Sequence, residues 1–153
     1  MQRHRATRLH YDFRLELHGV LVSWAVPKGP TLDPSARRAA IAVEDHQLDY
    51  IDFEGVIGRG QYGAGDVIVW DNGTWTPGET DDPEAALERG ELHFDLNGSK
   101  LRGRFVLIRT SRSWLMTHKR DRYAVPGWNP EDYPESVLSG RTNDDVAAWA
   151  SRA

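Results

Sequence analysis

Three side chains on one short stretch have the types and spacing of a metal site. His10, Asp12 and Arg14 alternate with Tyr11, Phe13, Leu15 and Leu17. Such strict alternation of polar and apolar residues predicts a half-buried β-strand. Successive side chains of a strand point to opposite faces, so the apolar set faces the core and His10, Asp12, Arg14 and Glu16 share the other side. An imidazole and a carboxylate at i and i+2 can ligate one ion, and His4, six residues before His10, can fold back as a third ligand. This mix of nitrogen and oxygen donors suits Mn²⁺, Zn²⁺ or Fe²⁺. A guanidinium beside such an ion is how sites hold phosphate or carboxylate oxygens. The bland alternative is the wet face of an antiparallel sheet.

A second segment offers similar groups. In Ile41-Ala42-Val43-Glu44-Asp45-His46 the same period predicts Ile41 and Val43 on one side and Ala42, Glu44 and His46 on the other. If the two polar faces meet, one pocket holds His4, His10, Asp12, Arg14, Glu44 and His46, with four of the six histidines. Glu44 fits a partner that orients a histidine or arginine as well as it fits a ligand.

The elements that must position these groups read mostly as strands. After a His18-Gly19 break, Val20–Val26 forms a second strand, and Ala39–Val43 a third. Asp71-Asn72-Gly73 between Asp66–Trp70 and Thr74–Trp75 signals a tight hairpin, because Asn-Gly accepts positive φ. Asn97-Gly98 predicts another hairpin, joining Leu92–Leu96 to Arg104–Arg109, and Trp114–Thr117 completes the sheet. Asp82-Pro83-Glu84 opens a short helix that ends before Gly90, and Thr142 to Ser151 predicts a C-terminal helix. The expected fold is mainly β, a compact antiparallel barrel with one or two short helices, in a single domain over residues 1–153. Its core lies at about 2–120, with a C-terminal extension over 121–153 in which Arg120–Pro134 reads as a loop without a role. The glycine-rich Gly55–Gly65 reads as a connecting loop. It lacks the Gly-Lys-Ser/Thr and the strand–loop–helix setting of a nucleotide cradle.

Composition narrows the chemistry. Cysteine is absent, which excludes disulfides and thiolate catalysis and leaves His, Asp and Glu to hold any metal. No apolar run approaches the length of a membrane span and no secretory signal is present, so a cytoplasmic location is expected. The net charge is −4, yet residues 1–38 carry seven Lys/Arg against three Asp/Glu, or +4, leaving −8 for the remainder. A local basic patch on an acidic domain suits an anionic substrate held at one point.

The string His4-x-x-x-x-x-His10-Tyr11-Asp12-Phe13-Arg14-Leu15-Glu16 strongly resembles the signature of bacterial and archaeal ligase D 3′-phosphoesterase domains. So do Ser23–Pro34 (SWAVPKGPTLDP), Val43–Tyr50 (VEDHQLDY), Phe53–Ile57 (FEGVI), Gly60–Trp75 and Leu96–Arg109, in the family's order. The resemblance implies a β-barrel enzyme of double-strand-break repair by non-homologous end joining. Such enzymes remove a 3′-terminal ribonucleotide and then the 3′-phosphate, leaving a 3′-OH for ligation. It implies a divalent metal, typically Mn²⁺ with Zn²⁺ or Co²⁺ as alternatives, on His4, His10 and Asp12. Arg14, Arg38, Glu44 and His46 take the other active-site positions; Gln2, Lys28 and Tyr50, with Arg14 and His46, take those near the bound phosphate. The implied partners are primer–template or duplex 3′ ends, and a repair ligase, polymerase or end-binding protein. No membrane is implied, and nothing demands more than a monomer. Family members carry an arm ahead of the first metal histidine, whereas three residues precede His4 here, which calls strand pairing at Gln2–His4 into question. With no polymerase or ligase portion, the sequence reads as a free-standing or excised domain.

Two rivals share the pattern. A non-haem Fe(II) oxygenase would use His10, Asp12 and His46 as its triad and need a basic residue for a co-substrate, for which Arg109 is the candidate. A non-catalytic nucleic-acid-binding barrel would stack bases on some of the six tryptophans.

Overall fold

The computed structural model describes residues 1–61 and 63–151. Tyr62, inside the glycine-rich segment, and Arg152 and Ala153, at the end of the C-terminal extension, lie outside the described residues. Ten strands form one antiparallel sheet: β1 (Gln2–Arg5), β2 (Leu9–Leu17), β3 (Val20–Val26), β4 (Arg38–Gln47), β5 (Gly55–Ile57), β6 (Gly65–Val69), β7 (Gly73–Gly78), β8 (Glu91–Gly98), β9 (Arg102–Arg109) and β10 (Trp114–His118). Two helices, α1 (Pro83–Arg89) and α2 (Asn143–Ser151), complete the fold. The spatial order is β5-β6-β1-β2-β3-β4-β10-β9-β8-β7. The class is therefore mainly β as expected, but no ladder joins β7 to β5 among the described residues, so the hydrogen-bonded sheet is open.

Period 2 explains the core. Tyr11, Phe13 and Leu15 of β2 and Trp24 and Val26 of β3 are buried together with Leu92, Phe94, Phe105 and Leu107 of β8 and β9. The sheet thus folds so that its two halves pack face to face. Phe13 stacks on Phe94 at 5.7 Å between ring centroids, Phe94 on Phe105 at 5.9 Å, and Trp24 meets Trp114 edge-on at 5.9 Å. Each such buried aromatic stabilises the fold by about 2–3 kcal/mol through area alone.

Local signals placed several elements correctly. Asp82 accepts a hydrogen bond from Ala85 N at 3.1 Å as N-cap of α1, Pro83 follows it, and Gly90 ends the helix at φ 88°. Thr142 and Asp145 exchange side-chain-to-backbone hydrogen bonds of 2.9 and 3.1 Å in a capping box before α2. At the β2–β3 turn His18 and Gly19 both have positive φ, 51° and 82°, as a two-residue hairpin requires.

Three expectations are corrected. The Asp71-Asn72-Gly73 signal does not make a hairpin: β6 pairs with β1 and β5, while β7 pairs with β8. The reason is the Asp71 carboxylate, which accepts backbone N–H bonds from Asn72, Ser99, Lys100 and Leu101 at 2.9–3.2 Å. It organises the β8–β9 turn as the chain passes from one half of the sheet to the other. Gly98 is obligatory there, because a Cβ would sit 2.5 Å from Asp71 Oδ2. Asp71→Ala strands several buried donors and is expected to lower stability by about 3 kcal/mol in denaturant unfolding.

Strand pairing at Gln2–His4 is intact, since β1 is hydrogen-bonded to β2 on one side and β6 on the other. The stretch Arg120–Pro134 is also more than a loop. Trp128 packs edge-on against buried Trp70 at 6.2 Å and stacks on Tyr133 at 5.1 Å. Glu131 receives Arg3 Nε at 3.0 Å and the Tyr11 hydroxyl. No helix among the described residues is long and apolar enough to cross a membrane.

Candidate active site

β1, β2, β3 and β4 lie side by side, and register decides which residues meet. Gln2 stands opposite Asp12 and His4 opposite His10, while Asp12 faces Ala25 and Arg14 faces Ser23 on the other side of β2. Gln2, His4, His10, Asp12, Arg14 and Ser23 therefore share the sheet face away from the aromatic core. Met116 opposite Arg38 and Trp114 opposite Ala40 fix the opposite face of β4.

The ladder between β3 and β4 is irregular. Leu21 pairs with His46 but Ser23 pairs with Val43, so β4 spends one extra residue there in a β-bulge. The sequence expectation that His46 lies opposite Val43 is corrected accordingly: the bulge brings His46 onto the face of Ile41 and Val43, the face of Arg14. Arg14 Nη1 lies 2.9 Å from His46 Nδ1.

His4, His10 and Asp12 offer one ligand atom each within 4.8 Å of one another. Asp12 Oδ1 is 3.1 Å from His10 Nε2 and Oδ2 is 3.5 Å from His4 Nδ1. The remaining ring nitrogens meet backbone carbonyls, His4 Nε2 with Gly63 O at 2.7 Å and His10 Nδ1 with Arg8 O at 3.2 Å. A carbonyl can only accept, so those nitrogens carry protons; in a neutral ring that leaves a lone pair on His4 Nδ1 and His10 Nε2 for a cation, and in a protonated ring an N–H there for Asp12. This is the outer hydrogen bonding that aims histidine ligands at a metal. The donor set fits a divalent cation.

The electrostatics agree. Burial alone would push the Asp12 carboxyl up, but hydrogen bonds from His10 and His4, with the Arg14 charge nearby, outweigh it and hold the group well below the usual carboxylate range. The Asp12 hydrogen bond in turn raises the His10 imidazole above its ordinary value, against burial. Asp12 therefore adds stability above about pH 3.9 that is lost as pH falls, and His10 adds stability below about pH 6.5 that is lost as pH rises. Without metal the pair contributes most between those limits. A divalent cation on this donor set would require neutral imidazole, so affinity for an ion such as Mn²⁺ would climb with pH until the raised His10 group is deprotonated, then level. Calorimetric titration across pH 5.5–8.5 in two buffers should also detect proton release; a flat profile contradicts it.

Arg14 is locked in place. Its Nε donates to Gln2 Oε1 at 2.9 Å, Nη1 to Ser23 Oγ at 2.7 Å, and Nη2 lies 3.6 Å from Asp12 Oδ2. Burial lowers its guanidinium from the ordinary value, and the Asp12 charge opposes that. Gln2 Nε2 donates to Tyr50 O and Phe53 O at 3.1 and 3.2 Å, tying the 3-10 turn Leu48–Asp52 to β1. That turn brings the Tyr50 ring over Arg14 at 5.1 Å and beside His46 at 5.3 Å, backed by Phe53 at 5.2 Å.

A tight constellation of a His-His-Asp donor set, a fixed guanidinium and an adjacent imidazole is thus built on three neighbouring ladders. The match to known sequences covers the same strands. The DNA ligase D 3′-phosphoesterase domain family matches residues 2–109. The chain belongs to that family. The multifunctional non-homologous end joining protein LigD of Pseudomonas aeruginosa is 54% identical over 154 residues, covering 93% of this chain and 18% of that protein. The multifunctional non-homologous end joining DNA repair protein LigD of Mycobacterium tuberculosis is 49% identical over 120 residues, 78% of this chain and 15% of that protein. The LigD of Mycolicibacterium smegmatis is 41% identical over 159 residues, 99% of this chain and 20% of that protein. The chain spans about a fifth or less of the length of these relatives.

Of the ten candidate residues of this 3′-phosphoesterase domain, the structure gathers Gln2, His4, His10, Asp12, Arg14, His46 and Tyr50. Glu44 contributes its backbone carbonyl, 2.9 Å from His46 Nδ1, while its side chain has no hydrogen bond or ion pair among the described residues. Lys28 is exposed in the turn after β3. Arg38 stands on the Ala40 side of β4, near Asp33, with its Nε buried and unpaired. Ser23 and the Gly63 and Arg8 carbonyls were not anticipated. Ser23 was within reach of sequence reasoning: a two-residue turn at His18-Gly19 pairs Arg14 with Ser23 by counting alone.

Proposed function

We propose that this domain is a metal-dependent phosphoesterase acting on DNA 3′ ends, removing a terminal 3′-ribonucleotide as a phosphodiesterase and the remaining 3′-phosphate as a phosphomonoesterase. The observation that carries the reading is the convergence of the His4, His10 and Asp12 donor atoms beside an immobilised Arg14. His4, His10 and Asp12 would hold Mn²⁺, or another divalent ion such as Zn²⁺ or Co²⁺. When bound, such a cation supplies Lewis acidity at a phosphate oxygen and lowers the pKa of a water.

The protein's own groups supply the rest. Gln2 and Ser23 hold the Arg14 guanidinium at a fixed angle, so charge developing on the phosphate oxygens in the transition state would meet a preorganised cation at its Nη2 end. His46 Nδ1 lies 2.9 Å from Arg14 Nη1, a donor, and 2.9 Å from Glu44 O, an acceptor. These neighbours favour opposite protonation of that nitrogen, so the geometry is compatible with a proton on it or a lone pair. With Nδ1 accepting from Arg14, the neutral ring keeps an N–H at Nε2 that can hydrogen-bond the leaving oxygen in the transition state. The protonated ring, its Nδ1–H donated to Glu44 O, can give the Nε2 proton to that oxygen as a general acid. Tyr50, stacked on Phe53, shields the guanidinium from water.

The reading places the chain among DNA 3′-end processors of end joining, in the cytoplasm near the nucleoid, acting as a monomer beside a repair ligase, polymerase or end-binding protein. The oxygenase alternative loses its co-substrate residue: Arg109 donates to Glu88 O at 3.0 Å at the end of α1. For the base-stacking alternative, Trp24, Trp70 and Trp114 are buried in the core and Trp75 and Trp128 pack against it. The deciding test is a 5′-labelled primer–template with one 3′-terminal ribonucleotide, incubated without metal, with Mn²⁺ and with Mg²⁺. Metal-dependent conversion to a 3′-phosphate and then a 3′-OH is expected; an intact strand in every lane refutes the reading.

A further inference from the structure

The two backbone carbonyls that orient the candidate ligands belong to two loops at one end of the sheet. Arg8 O, which meets His10, lies in the β1–β2 turn, and Gly63 O, which meets His4, lies in the loop from β5 to β6. Those loops leave the same end of adjacent strands, because Arg5 pairs with Leu9 on one side and Asp66 on the other. Their contact is close: a Cβ on Gly65 would fall 2.0 Å from Arg5 O and 3.0 Å from Ala6 Cα.

Each loop carries one exposed arginine, Arg8 and Arg59, and neither guanidinium has a hydrogen bond or ion pair among the described residues. Elsewhere at this end the charges are already matched. Arg5 binds Asp66 at 2.7 Å and Asp144 at 2.5 Å, and Arg3 binds Glu131 at 2.5 Å. The stretch from Ala6 to Leu9 and that from Gly58 to Ala64 contain no acidic residue. In a chain of net charge −4, this leaves two unmatched cations on the loops behind His4, His10 and Asp12.

We infer that Arg8 and Arg59 form a phosphate bracket that holds a non-scissile phosphate of the substrate DNA strand. The inference rests on the proposed 3′-end activity and names how the polymer beyond the reacting phosphate is held. Both long side chains are exposed on loops whose carbonyls meet His4 and His10, one loop on each side of β1. Arginine suits the task because its planar fork grips phosphate oxygens in pairs. Contacts of this kind position a strand without reading its sequence and weaken with salt by counterion release.

The test combines turnover and binding. Arg8→Ala and Arg59→Ala should each raise KM for the ribonucleotide-ended primer–template about fivefold, and the double variant about twentyfold. Each should make the slope of log affinity against log salt shallower by about 0.9, read by fluorescence anisotropy of a 3′-phosphate-ended duplex. Lysine at either position should restore the slope but only part of the affinity, and Arg112→Ala in the β9–β10 turn should change neither. The loss should be much smaller on a nucleoside 3′-monophosphate, which has no second phosphate. A double variant with unchanged KM and salt slope overturns the bracket, as does an equal loss on the mononucleotide. If the wild type cleaves nothing yet its salt-dependent binding falls in the double variant, the bracket stands and the proposed chemistry fails.

Discussion

Replacing Asp12 by alanine should reduce turnover of a ribonucleotide-ended primer by more than about a thousandfold and abolish stabilisation of the protein by Mn²⁺. Asp12 is the anion at the centre of a cationic cluster, with His10 at 3.1 Å, His4 at 3.5 Å and Arg14 at 3.6 Å. Its removal deletes one proposed ligand and leaves three groups that repel one another when protonated. The variant should therefore bind metal poorly, and its His10 should titrate at lower pH than in the wild type, since the Asp12 hydrogen bond is the main cause raising it. The ring chemical shifts of His10 followed by NMR check this directly. Asp12→Asn separates the effects: it keeps the shape of the side chain but not its charge, and should retain the fold while losing metal. A variant that still shows metal-induced stabilisation would remove Asp12 from the ligand set.

Arg14→Lys should lower turnover about a hundredfold or more and cost about 1–3 kcal/mol of stability, although the charge is kept. The loss is geometric. Arg14 uses Nε toward Gln2, Nη1 toward Ser23 and His46, and Nη2 toward Asp12, four directions that only a planar fork can serve together. A lysine amine can satisfy one or two of them, leaving Ser23 Oγ or Gln2 Oε1 without its partner. If the guanidinium acts on the transition state, the fall should appear in kcat with KM nearly unchanged. Equal loss in KM would place Arg14 in ground-state binding instead. Gln2→Ala, which removes the support but keeps the guanidinium, should show the same signature at smaller size.

Much of this arrangement was legible because β2 obeys its period without exception. Tyr11, Phe13 and Leu15 had to be core, so His10, Asp12 and Arg14 had to share the other face, and burial of the first three bears this out. The caps of α1 and α2 were legible for a similar reason, since each rests on bonds between residues within one turn of helix. Reading failed where a distant partner outweighed a local rule. Asn72-Gly73 has the chemistry of a hairpin turn, yet Asp71 found four N–H donors in the immediate turn and the β8–β9 connection, and the chain crossed over instead. The residues after 120 carry little periodicity, and their value lies in contacts with Arg3, Tyr11 and Trp70 more than fifty residues away. Arg38 shows the limit of motif position, which fixes where a residue stands in the chain but not which face of β4 receives it.

The extra residue in β4 has a consequence for what the site admits. Were the β3–β4 ladder regular throughout the register that pairs Ser23 with Val43, Leu21 would face Asp45 rather than His46. A carboxylate would then stand beside Arg14 where the His46 ring now stands. That anion would compete with phosphate for the same guanidinium, and the domain would carry its own inhibitor in its backbone. One residue of slack in a single strand thus separates a site that is open to an anionic substrate from one already satisfied by the protein itself.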